Sequence, residues 1–197
     1  MKRQVVIATD IFGICAGIDR LAQDLAKSQV SVTIIDPYQS KPQAFCNEQQ
    51  AYSAFVAYCG HDLYAQRLSH FLQSLPENQP AITLAIGFSA GASALWRALA
   101  TVQPGIDSSV VKQAVLFYPG QIHHYAELQP HVPVHIVFGQ CEPHFDVGVI
   151  CQQLQQWQGV IAEKTAFGHG FMNPASAAFA QTGYQQYLTL LNVRLTA

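Results

Sequence analysis

The sequence predicts an α/β fold: a doubly wound, mostly parallel sheet with helices on both faces. Two observations predict it. Short apolar runs alternate with segments of helical period from one end of the chain to the other. Each run is nearly continuous in apolar residues, as a strand buried on both faces requires. A third observation sets the scale. The chain has 197 residues, 50% of them hydrophobic and only 11% charged, which describes one compact domain over residues 1–197.

The elements follow in order. Strands are expected near residues 4–9, 30–35, 81–86, 112–118, 132–138 and 159–165. Between the first two, Ile18, Leu21, Ala22 and Leu25 recur at i, i+3, i+4 and i+7. Val147, Ile150, Cys151 and Leu154 do the same before the last strand, so both stretches read as amphipathic helices. Further helices are expected from Asp62 to just before Pro76, after Ser89, and after Pro174, the last presenting Ala177, Ala180, Tyr184, Tyr187, Leu188 and Leu191 to the core. Residues 37–60 hold a short helix around Ala51 to Tyr58. Trp96, Trp157 and the C-terminal tyrosines read as core. There is no internal repeat and no linker composition.

Composition excludes several function classes. Ten Lys and Arg against twelve Asp and Glu give a formal net charge of −2, so no basic surface dominates and nucleic acid is not an expected partner. The five cysteines, Cys15, Cys46, Cys59, Cys141 and Cys151, form an odd set without a CxxC pair, which argues for reduced thiols and a cytoplasmic home. Met1-Lys2-Arg3 followed by Val5-Val6-Ile7-Ala8 imitates a signal peptide, but Asp10 interrupts the apolar run. No apolar stretch approaches the roughly 18 residues of a membrane span, so no membrane partner is expected.

The chemistry concentrates at three places. Gly87-Phe88-Ser89-Ala90-Gly91 stands where a strand gives way to a helix, which makes it a GxSxG elbow. The turn forces the serine into a strained backbone, and glycines on both sides let strand and helix approach. The first amide of the following helix, Ala90 N–H, is aimed at a developing oxyanion. A serine hydroxyl needs a base, and His169 in Phe167-Gly168-His169-Gly170-Phe171 is the one histidine of eight that follows the last strand on a glycine-flanked loop. The base needs an orienting acid between nucleophile and histidine in chain order. Glu142, just after the fifth strand, fits that slot. Asp146 is the rival, though better placed to cap the next helix. His123, His124, His131, His135 and His144 show no regular ligand spacing, so no metal is expected.

The sequence resembles the dienelactone hydrolase family of the α/β-hydrolases. The likeness rests on Asp10-Ile11-Phe12-Gly13, Ile35-Asp36-Pro37-Tyr38, the elbow at Ser89, Phe117-Tyr118-Pro119-Gly120, Gly139 to Pro143, and Gly168-His169-Gly170-Phe171. The resemblance implies an α/β-hydrolase fold with a minimal cap and no cofactor. It implies Ser89 as nucleophile, Glu142 as acid, His169 as base, and the backbone N–H of Ile11 as a second oxyanion donor beside Ala90. The founding enzymes look to have Cys as nucleophile and Asp as acid, and Asn173 stands where they place an Arg that clamps a carboxylate. The expected activity is therefore hydrolysis of a small-molecule ester or lactone other than dienelactone, by a monomer or homodimer. The rival expectation is a catalytically idle binding or regulatory protein on the same scaffold.

Overall fold

The computed structural model of the chain describes residues 3–76, 80–101 and 110–196; Met1 and Lys2 of the signal-like start lie outside them. Six strands form one parallel sheet: β1 Arg3–Ala8, β2 Val30–Ile35, β3 Ile82–Phe88, β4 Ala114–Phe117, β5 Val134–Phe138 and β6 Val160–Lys164. Their order is β2-β1-β3-β4-β5-β6. The chain moves outward from β1 to β2, then returns to β3 on the other side of β1 and winds away. The strand order thus reverses between β1 and β3, and ligands of open α/β sheets bind beyond the carboxyl ends at such a point.

Among the described residues six α-helices cover the sheet: α1 Ala16–Ala26, α2 Glu48–Tyr58, α3 Gly60–Gln73, α4 Ala90–Thr101, α5 Val147–Leu154 and α6 Gln181–Thr196. Alternate strand residues feed two core layers. On one face, Val5, Ile7, Leu84 and Ile86 pack with Ile18, Leu21 and Leu25 of α1 and Tyr184, Tyr187 and Leu191 of α6. On the other, Val6, Ala8, Ala85 and Leu116 pack with Tyr64 and Leu68 of α3, Trp96 of α4 and Ile150 of α5. Trp96 is fully buried and donates its indole N–H to the Tyr125 carbonyl at 2.8 Å, whereas Trp157 is only partly covered.

Two expectations need correction. The outer strands are not buried on both faces. β2 and β6 are sheet edges, and Ile161 of β6 is 53% exposed. The last helix begins at Gln181, not after Pro174. Side chains hold the intervening backbone in turns: Asn173 Oδ1 accepts from Ala175 N–H at 3.0 Å, and Ser176 Oγ accepts from Ala178 N–H at 3.2 Å. Short polar side chains compete in this way with helical bonding, and Ala177 is consequently exposed. Among the described residues no helix is long and apolar enough to cross a membrane.

Candidate active site

Ser89 sits between the last residue of β3 and the first of α4, with φ +47°. That backbone conformation is uncommon for a residue with a side chain and is held here from several directions. Ser89 N–H donates to the Phe117 carbonyl at 2.9 Å. The Ser89 carbonyl accepts from Ser93 N–H at 3.0 Å and from Ser93 Oγ at 3.2 Å. The flanking glycines are sterically required. A Cβ on Gly87 would lie 2.6 Å from Ala92 Cα, and one on Gly91 would collide with the Ala8 and Thr9 carbonyl oxygens. The strand and helix therefore cross so closely that the serine side chain is turned out at the carboxyl end of the sheet.

The three residues singled out from the sequence meet there. Ser89 Oγ lies 2.9 Å from His169 Nε2, and His169 Nδ1 lies 2.8 Å from Glu142 Oε2 and 3.0 Å from Glu142 Oε1. A carboxylate on the Nδ1 side holds the proton on that nitrogen, so Nε2 is left to accept from the serine hydroxyl. Burial is graded along the line. The Glu142 side chain is 1% exposed and the His169 side chain 37%. The acid is dry and the imidazole is reachable, an arrangement that orients the ring without closing it off. Tyr118, itself at φ +39°, packs its ring 4.9 Å from the imidazole, and Gly120 leaves room beside it.

Asp146 does something else. It is the N-cap of α5, with its carboxylate accepting from Val149 N–H at 3.0 Å. Cys141 is an exposed free thiol next to Glu142, and the other four cysteines are also free. His123, His124 and His144 gather near the Glu142 loop as stacked or tilted rings, while His135 lies in the sheet beside Glu163. Among the described residues no group of three or more His, Cys, Asp or Glu could hold a metal ion.

The loop after β1 carries the other expected oxyanion donor. Asp10 and Gly13 close a turn through a 3.1 Å backbone bond, and Asp10 Oδ1 accepts from Phe12 N–H at 3.0 Å. Tyr38 donates its hydroxyl to the Ile11 carbonyl at 2.6 Å. The turn's own hydrogen bonds thus engage the Phe12 and Gly13 amides and not that of Ile11. Ala90, at the start of α4, brings the positive end of a 12-residue helix to the same rim.

Sequence reasoning does not foresee what supports this loop. Asp10 is 4% exposed, and burial pushes its carboxyl up to about 6, partly offset by the Asn173 amide, the Phe12 N–H and the positive charge available on His169. Asn173 does not face the cleft at all. It is 2% exposed and donates to Asp10 Oδ2 at 2.7 Å. Ser93 bridges the elbow to Gln121 N–H at 3.1 Å. A polar residue closing an apolar run, as Asp10 does two residues beyond β1, is the one available signal.

No family model matches the chain. It is similar to the uncharacterized protein YczH of Bacillus subtilis (strain 168), 22% identical over 192 residues that cover 96% of this chain and 91% of that protein. Its structure is similar to that of a candidate dienelactone hydrolase from Klebsiella pneumoniae subsp. pneumoniae MGH 78578, with a TM-score of 0.75 and 16% identity over 99% of this chain and 87% of that one. The dienelactone hydrolase-like promiscuous phosphotriesterase P91 from metagenomic libraries gives 0.71 and 18% over 99% and 86%. The dienelactone hydrolase of Anabaena variabilis ATCC 29413 gives 0.62 and 17% over 99% and 86%. With its six-stranded parallel sheet and its flanking helices, this chain has the α/β-hydrolase fold.

Proposed function

We propose that the protein is a serine hydrolase that cleaves a carboxylic ester or lactone through an acyl-enzyme intermediate. The observation that carries this reading is the continuous line of hydrogen bonds from Ser89 Oγ through His169 to the buried Glu142 carboxylate. A serine hydroxyl at pH 7 is a weak nucleophile, and a base at 2.9 Å is what activates it.

In this reading Ser89 Oγ attacks the carbonyl carbon while His169 Nε2 takes its proton. The carbonyl oxygen becomes an anion, stabilised by the amides of Ile11 and Ala90; one such donor is worth about 3–4 kcal/mol. Glu142 keeps the imidazole in the tautomer with hydrogen on Nδ1 and stabilises the imidazolium. His169 then protonates the leaving alkoxide, the C–O bond breaks, and Ser89 remains acylated. Water deprotonated by His169 attacks the acyl carbon, the second oxyanion collapses, and Ser89 leaves with its proton restored. No cofactor enters the scheme.

Asn173 is turned inward and bonded, so nothing at that position clamps a substrate carboxylate; this supports a substrate class other than dienelactone. The test is turnover of a p-nitrophenyl ester by the wild type and by Ser89→Ala. The wild type is expected to hydrolyse it, and the variant to lose activity with an unchanged thermal melt. Equal activity in the two proteins would refute the reading. A panel of esters, lactones, thioesters and, given P91, phosphotriesters then locates the preferred substrate.

A further inference from the structure

The buried bond between Asp10 and Asn173 joins two segments separated by 163 positions in sequence. Asp10 opens the turn that carries Ile11. Asn173 lies four residues beyond His169 on the loop after β6. Within the proposed mechanism the distance between the Ile11 amide and His169 Nε2 is the critical dimension, because attack and oxyanion stabilisation occur on the same carbonyl group. The Asp10–Asn173 bond ties the loop that carries Ile11 to the loop that carries His169.

Every polar side-chain atom of the pair has a partner. Asp10 Oδ1 accepts from Phe12 N–H and Oδ2 from Asn173 Nδ2. Asn173 Oδ1 accepts from Ala175 N–H at 3.0 Å and from the Cys15 thiol at 3.5 Å. The donor role requires Cys15 to keep its proton, and burial pushes that thiol up. There is little slack around the pair. A Cβ on Gly17 would lie 2.6 Å from Asn173 Oδ1, so the first turn of α1 packs directly on the amide. Two further anchors hold the loops from outside: Tyr38 on the Ile11 carbonyl, and Ser176 Oγ donating to Glu48 Oε1 at 3.0 Å.

We propose that Asp10 and Asn173 are positioning residues, whose bond sets the Ile11 amide against His169 so that oxyanion stabilisation and proton transfer act on one carbonyl. The inference rests on the serine-hydrolase reading. A side chain that touched substrate would face the cleft, whereas both of these are at least 96% covered. They act through the loops they join.

The donor and acceptor pattern provides a test that a filler role would not pass. Asp10→Asn leaves one acceptor oxygen for two donors, Phe12 N–H and Asn173 Nδ2, and Asn173→Asp sets a carboxylate against a carboxylate. The double variant exchanges the two side chains and can restore each bond. Its amide, now on the β1 loop, donates to a carboxylate on the loop after β6, and the Phe12 and Ala175 N–H groups still find acceptors. Steady-state kinetics on a p-nitrophenyl ester, well below the melting temperature, should show each single variant losing about 10- to 100-fold in kcat with KM within about threefold. The double variant should recover to within about fivefold of wild-type kcat. Folded Asp10→Asn with wild-type kcat overturns the proposal, as does a folded double variant no faster than the slower single. Ser89→Ala is measured alongside. Ser89-dependent turnover indifferent to both single substitutions overturns this inference alone, whereas absence of Ser89-dependent turnover brings down the hydrolase reading and this inference with it.

Discussion

Among the described residues two histidine–glutamate pairs occur, and only one of them adjoins a serine. His169 Nδ1 meets Glu142 at 2.8 Å, and His135 Nε2 meets Glu163 Oε1 at 3.1 Å. Distance does not distinguish them; the order of burial does. In the first pair the glutamate side chain is 1% exposed and the histidine 37%. In the second the glutamate is 42% exposed and the histidine 11%. His135 projects from β5 toward β6, and Glu163 also accepts from the Tyr187 hydroxyl at 3.0 Å, so this pair ties the sheet edge to α6. Burial, with Arg194 nearby, pushes the His135 imidazole down despite the opposing pull of Glu163. A loop at the carboxyl end turns the same two residue types the other way round, keeping the acid dry and the imidazole reachable.

The largest expected effect comes from removing one imidazole from each pair. His169→Ala should lower ester turnover by about 10⁴-fold or more, whereas His135→Ala should change it by less than about threefold. Comparable losses in the two variants, read as kcat/KM, would erase the distinction drawn between the pairs.

The next effect separates the two acids near the site. Glu142→Gln should cost about 10²- to 10⁴-fold in kcat, because the imidazole loses the partner that fixes its tautomer. Asp146→Ala should leave kcat within about twofold and lower stability by about 1 kcal/mol, the usual effect of losing an N-cap. Thermal melts with kinetics on the same samples check both halves; the reverse pattern would transfer the acid's role to Asp146.

The third effect concerns the buried Asp10 carboxyl. Its folded value of about 6 lies above the ordinary 3.8, so the native state holds that proton more tightly than the unfolded chain. The group's contribution to stability is therefore most favourable below pH 3.8 and falls as pH rises to about 6. The groups facing it are His169, Glu48 and Cys15, with Tyr38, Tyr64 and Tyr118, whose hydroxyls burial keeps protonated throughout this range. The stability of Asp10→Asn relative to the parent should rise by up to about 3 kcal/mol between about pH 4 and pH 7. Denaturant unfolding in a His169→Ala background, which removes the imidazole facing Asp10, measures it. A pH-independent difference would contradict the assignment.

What is legible in the sequence follows from how local each cause is. Six apolar runs mark six strands because burial on both faces leaves a continuous pattern, and the pattern weakens at β2 and β6, where only an edge is offered. The residues of the proposed mechanism, Ser89, Glu142 and His169, are legible as candidates because each sits in a local context that such chemistry would demand: glycines around an elbow, a loop after a strand. The start of α6 escapes such reading because Asn173 and Ser176 bond their own backbone, which an apolar period does not reveal. Asp10 is marked only as the polar residue that closes the first apolar run, and its bond to Asn173 cannot be read. It couples residues 163 positions apart, and neither leaves a periodic mark.

The central claim is that Ser89 is made nucleophilic by its place in the fold, and covalent labelling tests it most directly. Intact-mass spectrometry after treatment with a fluorophosphonate should show one adduct on the wild type, located at Ser89, no adduct on Ser89→Ala, and labelling slowed by orders of magnitude in His169→Ala. An unlabelled wild type, or the same adduct on Ser89→Ala, would contradict it.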